Sequence, residues 1–548
     1  MKRLYCILLL AYSVLTGCAT EQRLQETRFP IKIGLLADTQ ITSDNGFSDF
    51  IFRSKDADRF IDVAVRPPAL ERYLAEEMLD VALKKLTQDA NGEKKGVDVI
   101  LYLGDGANSG GTDEMETLFA ALNKYRQETG IPIFMLIGNH DYLGAGTVAS
   151  PGIRFALLNR DGRPPNPALS KYQVLKKIST FNNASNKMPT NKNFRYIDNF
   201  AMVERNKHLD HQTGLYLSGR IWYSEYGKDS VEIFMVDSSD YKDAPDWSKL
   251  AKLGFYGSVG SVSYKDVPEG NFLSQLSHFK KLAKSSAPDY RIIASHYPKD
   301  HLDRITFAKP GEVPLNMTNM MWDVVEGTFN FPAFTETLNE SLEDLLAPSR
   351  RNYWFSAHTH VTTMPRPEKL IVGGILGDIA FDAINVGSTT DYRAHVAIVE
   401  QFVSYHNNRI DKFVGFREIP LFDCNEELLQ TIPKAIAEYG RKHYSDPDFQ
   451  LCLQDMIKGS GTGVWLNVGA AILGMNKTYR ENCWRDEQTE ASEKHLRKFV
   501  TDFIGRTESN PDDVIAFLGL IAGAYEDEKI PDDCEFSLSC WKKLCNLQ

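Results

Sequence analysis

Apolar runs that stop abruptly at polar residues constrain the fold of this chain more than any other feature. The run 133–137 stops at Gly138, and an amide, an imidazole and a carboxylate follow it directly. The run 31–37 stops in the same way at Asp38. Between such runs, apolar residues recur at three-to-five-residue steps, which is typical of amphipathic helices. The alternation predicts stacked β-α-β units.

The same pattern continues through most of the chain. Strands are predicted at residues 31–37, 97–103, 133–137, 231–236, 291–295, 353–355, 384–386 and 396–399. Helices are predicted at residues 70–86, 115–125, 332–346, 426–444, 491–504 and from residue 510 onward. Residues 142–206 are rich in Pro, Asn, Lys and Gly and lack a clean period. We therefore interpret about 142–230 as an insertion over the face where the strands end, and 237–240 as a turn.

The composition is that of a folded protein. Of the 548 residues, 43% are hydrophobic and 25% are charged, as in ordinary globular proteins. The formal net charge of −11 argues against a nucleic-acid partner, because proteins that bind nucleic acid cover its phosphates with Lys and Arg. A phosphate ester substrate is compatible with this charge, because bound metal ions can supply positive charge locally.

The N-terminus resembles a bacterial lipoprotein signal. Basic residues precede an apolar run at 4–15, which is shorter than the roughly 20 residues that span a bilayer. The run ends in Leu15-Thr16-Gly17-Cys18, and the resemblance implies cleavage before Cys18 and a lipid on that cysteine. We expect an exported protein anchored on the periplasmic or cell-surface side of the bacterial envelope, with signal 1–17 and tether 18–30. The alternative is an ordinary secretory signal, which also implies export.

The remaining cysteines, apart from Cys6 in the signal, gather in the last quarter of the chain. They are Cys424, Cys452, Cys483, Cys534, Cys540 and Cys545. An even number in an oxidising compartment predicts disulfides, with the pairing left open. The spacing lacks Cys-x-x-Cys pairs, so a zinc site is the weaker interpretation. Because the sequence also becomes helical here, we predict an α/β domain at 31–410 and a helical C-terminal domain at 411–548.

Polar residues of the metal-ligand type follow several predicted strands. They are Asp38 with Gln40, Asp105, Asn139 with His140, His296, and His358 with His360. In open α/β sheets, ligands bind beyond the carboxyl ends of the strands, so we expect these side chains to converge. The set is too large for one tetrahedral zinc ion. It suits two metal ions that share a carboxylate, as in two-metal hydrolases.

The order of these residues resembles the motif series of the calcineurin-like metallophosphoesterases. That series runs Asp-x-His, Gly-Asp, Gly-Asn-His-Asp/Glu, a lone His and Gly-His-x-His. The matching segments here are Asp38-Thr39-Gln40, Gly104-Asp105, Gly138-Asn139-His140-Asp141, His296 and Ala357-His358-Thr359-His360. The resemblance implies an α/β fold, specifically a four-layer α/β/β/α sandwich. It also implies hydrolysis of a phosphoester or diphosphate bond by metal-bound hydroxide.

The resemblance further implies a role for each matching residue. One divalent metal ion would be held by Asp38, Gln40, Asp105 and His360. The other would be held by Asp105, Asn139, His296 and His358, so that Asp105 bridges the two ions. His140 would lie over the substrate, where its imidazole contacts the phosphoryl group or protonates the leaving oxygen.

The chain departs from the family pattern at two positions. Ala357 replaces a glycine, which we expect to change little, and Gln40 replaces a histidine. The neutral oxygen of Gln40 favours harder ions, so we expect manganese, with iron, zinc or magnesium as alternatives. A glutamine here also resembles the manganese-dependent ADP-ribose/CDP-alcohol diphosphatase branch. Asn108 differs from the aspartate of protein phosphatases and from the tyrosine of purple acid phosphatases.

Three functions follow as hypotheses. The first is a metal-dependent hydrolase in the cell envelope that acts on a phosphorylated small molecule or a nucleotide-like substrate, with ADP-ribose/CDP-alcohol diphosphatase-like activity as an alternative. The second is a catalytically weak metal-binding lipoprotein with a binding or structural role, which lost its activity through the presence of Gln40 in place of histidine. Retention of every other ligand argues against the second hypothesis. The third, nuclease activity, is disfavoured by the negative charge.

Overall fold

The computed structural model describes only part of the chain. The described residues are 31–41, 69–88, 96–142 except 109, 169–188 except 170, 193–202, 215–238 except 227–228, 262, 266, 273–299, 351–406 except 373–374 and 391–393, 409–443, 510–526 and 538–546. Several predictions lie outside these residues. They are the signal and tether with Cys18, the helices at 332–346 and 491–504, and Cys452, Cys483 and Cys534.

The first sheet has five strands, in the order β12-β11-β1-β2-β3. Their bounds are β1 Ile33–Leu36, β2 Val99–Tyr102, β3 Ile133–Met135, β11 His395–His406 and β12 Arg409–Pro420. β1, β2 and β3 are parallel, whereas β11 is antiparallel to both β1 and β12. Helices α1 (Ala69–Thr87) and α2 (Thr112–Thr129) connect the parallel strands, as the alternating pattern predicts.

The second sheet has seven strands, in the order β4-β5-β6-β7-β8-β10-β9. Their bounds are β4 Phe194–Met202, β5 Leu215–Tyr223, β6 Val231–Val236, β7 Tyr290–Ser295, β8 Arg351–Ser356, β9 Thr363–Val372 and β10 Ile375–Asn385. Strands β6, β7, β8 and β10 form a parallel centre, and antiparallel strands lie at both edges. Helix α4, Gln275–Lys284, precedes β7.

Alternating side chains divide these sheets and helices into four layers. Ile33 and Leu35 of β1 share a buried cluster with Ile292 of β7, so the two sheets pack face to face. Leu36 points the other way, into a core shared with the helices beside the first sheet. Ile293 packs against α4 on the outer side of the second sheet. The α/β/β/α sandwich is thus the architecture of the protein.

The stretch that we interpreted as an insertion supplies structural elements of its own. It contains β4, β5 and helix α3, Lys171–Ser185. Asn182 of α3 exchanges hydrogen bonds with both backbone groups of Met135, at 2.8 and 2.9 Å, and so covers the edge strand β3. Asn186, just after α3, bonds both backbone groups of Tyr196 on β4 in the same way. Helix α3 therefore joins the open edges of the two sheets.

The C-terminal helices pack against the first sheet's helical layer. They are α5 Glu426–His443, α6 Pro511–Glu526 and α7 Leu538–Asn546. Phe517 of α6 and Trp541 of α7 belong to the same buried core as Met78 of α1, and a disulfide joins Cys424 to Cys545. The division into two domains stays a prediction. Within the described part of the chain, no helix is both long and apolar enough to cross a membrane.

Candidate metal centre

The polar strand ends meet at one edge of the sandwich because the strands that precede them are parallel. The pairing of β1 with β2 continues past both strands: the Asp38 N–H donates to the Gly104 carbonyl at 3.0 Å, and the Gln40 N–H donates to the Asp105 carbonyl at 3.1 Å. Residues after β7 and β8 approach from the second sheet, where the Ala357 N–H donates to the His296 carbonyl at 2.8 Å. Both sheets therefore contribute to the site.

Two groups of carboxylates and imidazoles lie close enough together to hold a metal ion. One contains Asp105, His296 and His358, and the other contains Asp38, Asp105 and His360. Within each group the ligand atoms lie within 4.8 Å of one another. Asp105 belongs to both groups, which is the arrangement expected for two ions that share a carboxylate.

Asn139 joins the first group. Its Oδ1 lies 3.0 Å from His296 Nε2 and 3.1 Å from His358 Nδ1, and His296 Nε2 also lies 3.2 Å from Asp105 Oδ2. The other ring nitrogen of His296, Nδ1, donates to the Leu103 carbonyl at 2.9 Å, because a carbonyl can only accept. Metal ions bind the neutral form of imidazole, and in that form the Nε2 lone pair of His296 would face two oxygen acceptors, an arrangement that a cation between them stabilises. The donor set fits a bound metal ion.

The pKa values of Asp105 and His296 reflect how closely the carboxylates and imidazoles of the site approach one another. Burial acts to raise the pKa of Asp105, but the surrounding imidazoles, His296 above all, lower it to about 2. Burial acts to lower the pKa of His296, but the Asp105 carboxylate outweighs burial and raises that pKa to about 9. Both shifts have one physical cause, the attraction between the Asp105 carboxylate and the imidazoles around it.

Gln40 lies in the second group. His360 Nε2 is 3.3 Å from Asp38 Oδ1 and 3.4 Å from the Gln40 side-chain amide. Gln40 is buried. The nitrogen and oxygen of an amide exchange positions by a half-turn, so Oε1 can face the site in place of Nε2.

Most of these residues adopt a strained backbone. The φ angles are positive at Asp38 (50°), Gln40 (50°), Asp105 (54°), His358 (71°) and His360 (58°). Residues other than glycine seldom adopt this left-handed region of backbone conformation, and such strained residues are common at functional sites. Ala357 is not among the non-glycine residues with positive φ, so alanine fits where the family pattern has glycine.

Asp141 holds the strained loops together. Its buried carboxylate accepts backbone N–H groups from Asp105, Gly106, Ala107 and Gly138 at 2.8–3.2 Å. Burial and the nearby Asp105 carboxylate raise the pKa of Asp141, and the four amide donors oppose that rise. Asp141 belongs to the predicted motif Gly138-Asn139-His140-Asp141, but its role was not predicted.

His140 lies beside the shared carboxylate. Its backbone N–H donates to Asp105 Oδ1 at 2.8 Å, and its ring Nδ1 donates to the Asn108 carbonyl at 2.7 Å. The Asn108 N–H in turn donates to the Ile41 carbonyl at 3.0 Å, which fixes this loop to the segment after β1. With Nδ1 engaged, Nε2 is the ring atom that can give or take a proton.

Support from residues after β10 was not predicted. Ser388 Oγ donates to the Asp38 carbonyl at 2.7 Å, and Thr390 Oγ1 donates to the same oxygen at 3.4 Å. The His358 N–H donates to Asp38 Oδ2 at 3.2 Å. No local pattern marks Ser388 or Thr390, because their partner lies about 350 residues earlier in the chain.

The structure brings together the seven predicted ligands and places His140 next to them. The assignment of each residue as a ligand stays a prediction, as does the lipid on Cys18. A family model described as calcineurin-like phosphoesterase matches residues 31–362, the range that contains every one of these site residues except Cys18. No curated protein matches the chain.

Proposed function

Because the chain belongs to the calcineurin-like phosphoesterase family, we propose that it cleaves a phosphoester or diphosphate bond of a small, nucleotide-like molecule at this metal centre. Membership of the family gives the general activity: the protein is a metal-dependent phosphoester hydrolase that acts on a phosphorylated substrate. The observation that carries the proposal is the position of Asp105 in both ligand groups.

The proposed centre uses seven ligands. Asp38, Gln40, Asp105 and His360 would hold one divalent ion, and Asp105, Asn139, His296 and His358 would hold the other. When bound, such ions supply Lewis-acid charge that lowers the pKa of a water and polarises phosphoryl oxygens. The oxygen donors of Gln40 and Asn139 support manganese as the preferred ion, because amide oxygens suit harder cations than imidazole nitrogens do.

His140 is the proposed proton donor. Its Nδ1–H is held by the Asn108 carbonyl, so the protonated ring can release its second proton only from Nε2. Donation of that proton to the leaving oxygen neutralises the negative charge that develops as the bond to phosphorus breaks. The backbone N–H of His140 donates to Asp105 Oδ1 at 2.8 Å and its ring is partly buried, which supports a role for this imidazole beside the proposed centre.

The test is a screen with the purified, manganese-loaded protein. Substrates are p-nitrophenyl phosphate, bis(p-nitrophenyl) phosphate, nucleotides, dinucleotides, ADP-ribose, CDP-alcohols, sugar phosphates and phospholipid headgroups. On the best substrate, His140→Ala should lower kcat by about 10²- to 10⁴-fold, the usual contribution of a general acid. Its metal content should stay at the wild-type level, because the contact with Asp105 uses the backbone N–H.

His278→Ala is the matched control. This histidine lies on α4, where its ring packs against Phe279. Because it belongs to neither ligand group, its replacement should leave kcat unchanged. Full turnover by His140→Ala would contradict the assignment of His140. Two tightly bound metal ions with no turnover on any substrate would instead support the second hypothesis, a metal-binding lipoprotein.

We also propose that the protein is anchored by lipid in the bacterial cell envelope. The support is the sequence Leu15-Thr16-Gly17-Cys18 after a short apolar run. Expression of the full chain and of Cys18→Ser, followed by fractionation, tests the anchor. The wild-type protein should stay with membranes after a high-salt wash, and Cys18→Ser should not. Equal membrane retention of both proteins would contradict lipid attachment at Cys18.

A further inference from the structure

Tyr297 follows His296 and lies outside the predicted ligand set, yet its ring packs directly against another ligand. The ring centroids of Tyr297 and His358 are 4.0 Å apart, with the planes tilted by 40°. We propose that Tyr297 is a positioning residue that fixes the plane of the His358 imidazole in the metal centre. This inference rests on the proposed function, because it assumes that His358 is a metal ligand.

The backbone of Tyr297 is held by hydrogen bonds to residues near the ends of neighbouring strands of the second sheet. Its N–H donates to Ser238 Oγ at 3.0 Å, and its carbonyl accepts from Ser295 Oγ at 2.7 Å. Ser295 Oγ in turn accepts from Trp354 Nε1 at 2.8 Å. The ends of β6, β7 and β8 therefore hold one residue between them. The predicted turn at 237–240 contributes Ser238 to this arrangement.

The side chain of Tyr297 is anchored in the core. It is 1% exposed and belongs to the apolar cluster between the second sheet and α4, together with Phe234, Phe279 and Trp354. A buried aromatic ring in a densely packed cluster cannot shift without displacing its neighbours. One face of the ring thus presents a rigid surface to His358.

His358 needs such a surface more than the other imidazole of its group. His296 is fully buried and its Nδ1 is held by a backbone carbonyl, whereas His358 is only partly buried and stands on a backbone with φ of 71°. Its Nδ1 must stay near Asn139 Oδ1 and His296 Nε2, at 3.1 and 3.3 Å. Rotation of the ring about its bond to Cβ would carry Nδ1 away from both atoms. Packing that limits this rotation preserves the ligand geometry.

The experiment compares Tyr297→Leu with Tyr297→Phe and with Phe279→Leu. Tyr297→Leu removes the aromatic face, and Tyr297→Phe keeps it. Phe279→Leu removes an equally buried ring from the same cluster at a position on α4. Metal-stripped proteins are titrated with Mn²⁺ by calorimetry, and their thermal unfolding is followed with EDTA and with Mn²⁺.

Tyr297→Leu should weaken one of the two Mn²⁺ sites by about 10- to 100-fold, the usual cost of losing a residue that orients a ligand. It should also lose most of the rise in Tm that Mn²⁺ gives the wild type. Tyr297→Phe should bind Mn²⁺ as the wild type does. Phe279→Leu should lower Tm in EDTA and leave both Mn²⁺ affinities unchanged.

Three results would overturn the inference. They are wild-type Mn²⁺ affinities in Tyr297→Leu, equal losses of affinity in Tyr297→Leu and Phe279→Leu, and equal losses in Tyr297→Phe and Tyr297→Leu. The first result leaves the proposed function intact. Absence of Mn²⁺ binding by the wild-type protein would instead overturn the proposed function together with this inference.

Discussion

At one ligand position, Gln40, the chain has an amide where the family pattern has an imidazole. The side chain is buried beside His360, so a change of ligand atom there acts directly on the centre. Gln40→His should shift the ratio of bound zinc to bound manganese toward zinc, because an imidazole nitrogen suits zinc better than an amide oxygen does. We expect a change on the order of tenfold, comparable to the smallest effects seen for residues around metal ligands.

The measurement is metal content after dialysis of the stripped protein against equal concentrations of Mn²⁺ and Zn²⁺. Gln40→Glu is the control: it keeps an oxygen ligand and should keep the preference for manganese. An unchanged ratio in Gln40→His would show that this position does not set the metal preference.

The convergence of the predicted ligands could be predicted, because each of these residues follows an apolar run within a few residues. Asp38 and Asp105 follow buried strands in the sequence and do so in space. Tyr297 and Ser388 could not be predicted in the same way. Their contacts in the site are with residues far away in the chain, and neither residue type by itself indicates such a contact.

Lys171 and Asp237 attach α3 to the second sheet through a buried ion pair. The Lys171 Nζ lies 3.1 Å from Asp237 Oδ2, and both side chains are at most 2% exposed. Removing the Asp237 charge leaves the buried Lys171 ammonium without this carboxylate. Asp237→Asn should therefore lower the free energy of unfolding by about 3–5 kcal/mol, measured by urea denaturation.

The double variant Lys171→Met/Asp237→Asn tests the reason for that loss. It removes the stranded cation and keeps an acceptor for the Leu217 N–H, which approaches Asp237 Oδ2 at 3.4 Å. The double variant should recover most of the lost stability, because apolar replacements of buried ion pairs are often neutral. If Asp237→Asn alone left the urea midpoint unchanged, the pair would not anchor α3.

Strands buried on both faces were the most predictable elements. β6 is observed at Val231–Val236 with every residue buried, as a run that is apolar except for Glu232 predicts. β4 and β5 were missed, because they lie in the stretch 142–230 that was interpreted as an insertion. β10 was predicted only near residues 384–386, whereas the strand begins at Ile375. The apolar pattern marks only the buried part of such a strand, whereas the hairpin that it forms with β9 continues into polar residues.

The disulfide Cys424–Cys545 closes the chain over a sequence separation of 121 residues. It ties the last helix to the segment that follows β12. The double variant Cys424→Ser/Cys545→Ser should lose about 2–5 kcal/mol of stability, because a long closed loop restricts the unfolded chain. Guanidinium denaturation measures the loss.

Reduction of the wild type supplies the control for that variant. A reducing agent should lower the unfolding midpoint of the wild-type protein toward that of the double variant and should barely affect the variant itself. Equal midpoints of the oxidised wild type and the double variant would mean that the disulfide adds no stability.

The C-terminal helices extend the core of the first sheet. The change to helical sequence after residue 425 correctly predicted α5 and the start of α6 at Pro511. Sequence reasoning could not predict that Phe517 and Trp541 would pack into one core with Met78, since amphipathic periodicity shows which face is apolar but not its partner.

The place of Asp105 in both ligand groups makes the occupancies of the two proposed metal sites thermodynamically linked. An ion in one site changes the charge and orientation of a carboxylate that the other site also uses. If the first ion changes the affinity for the second ion by some factor, the second ion must change the affinity for the first ion by the same factor. A chelator that removes the ion from one site would therefore also change the affinity of the protein for the ion in the other site.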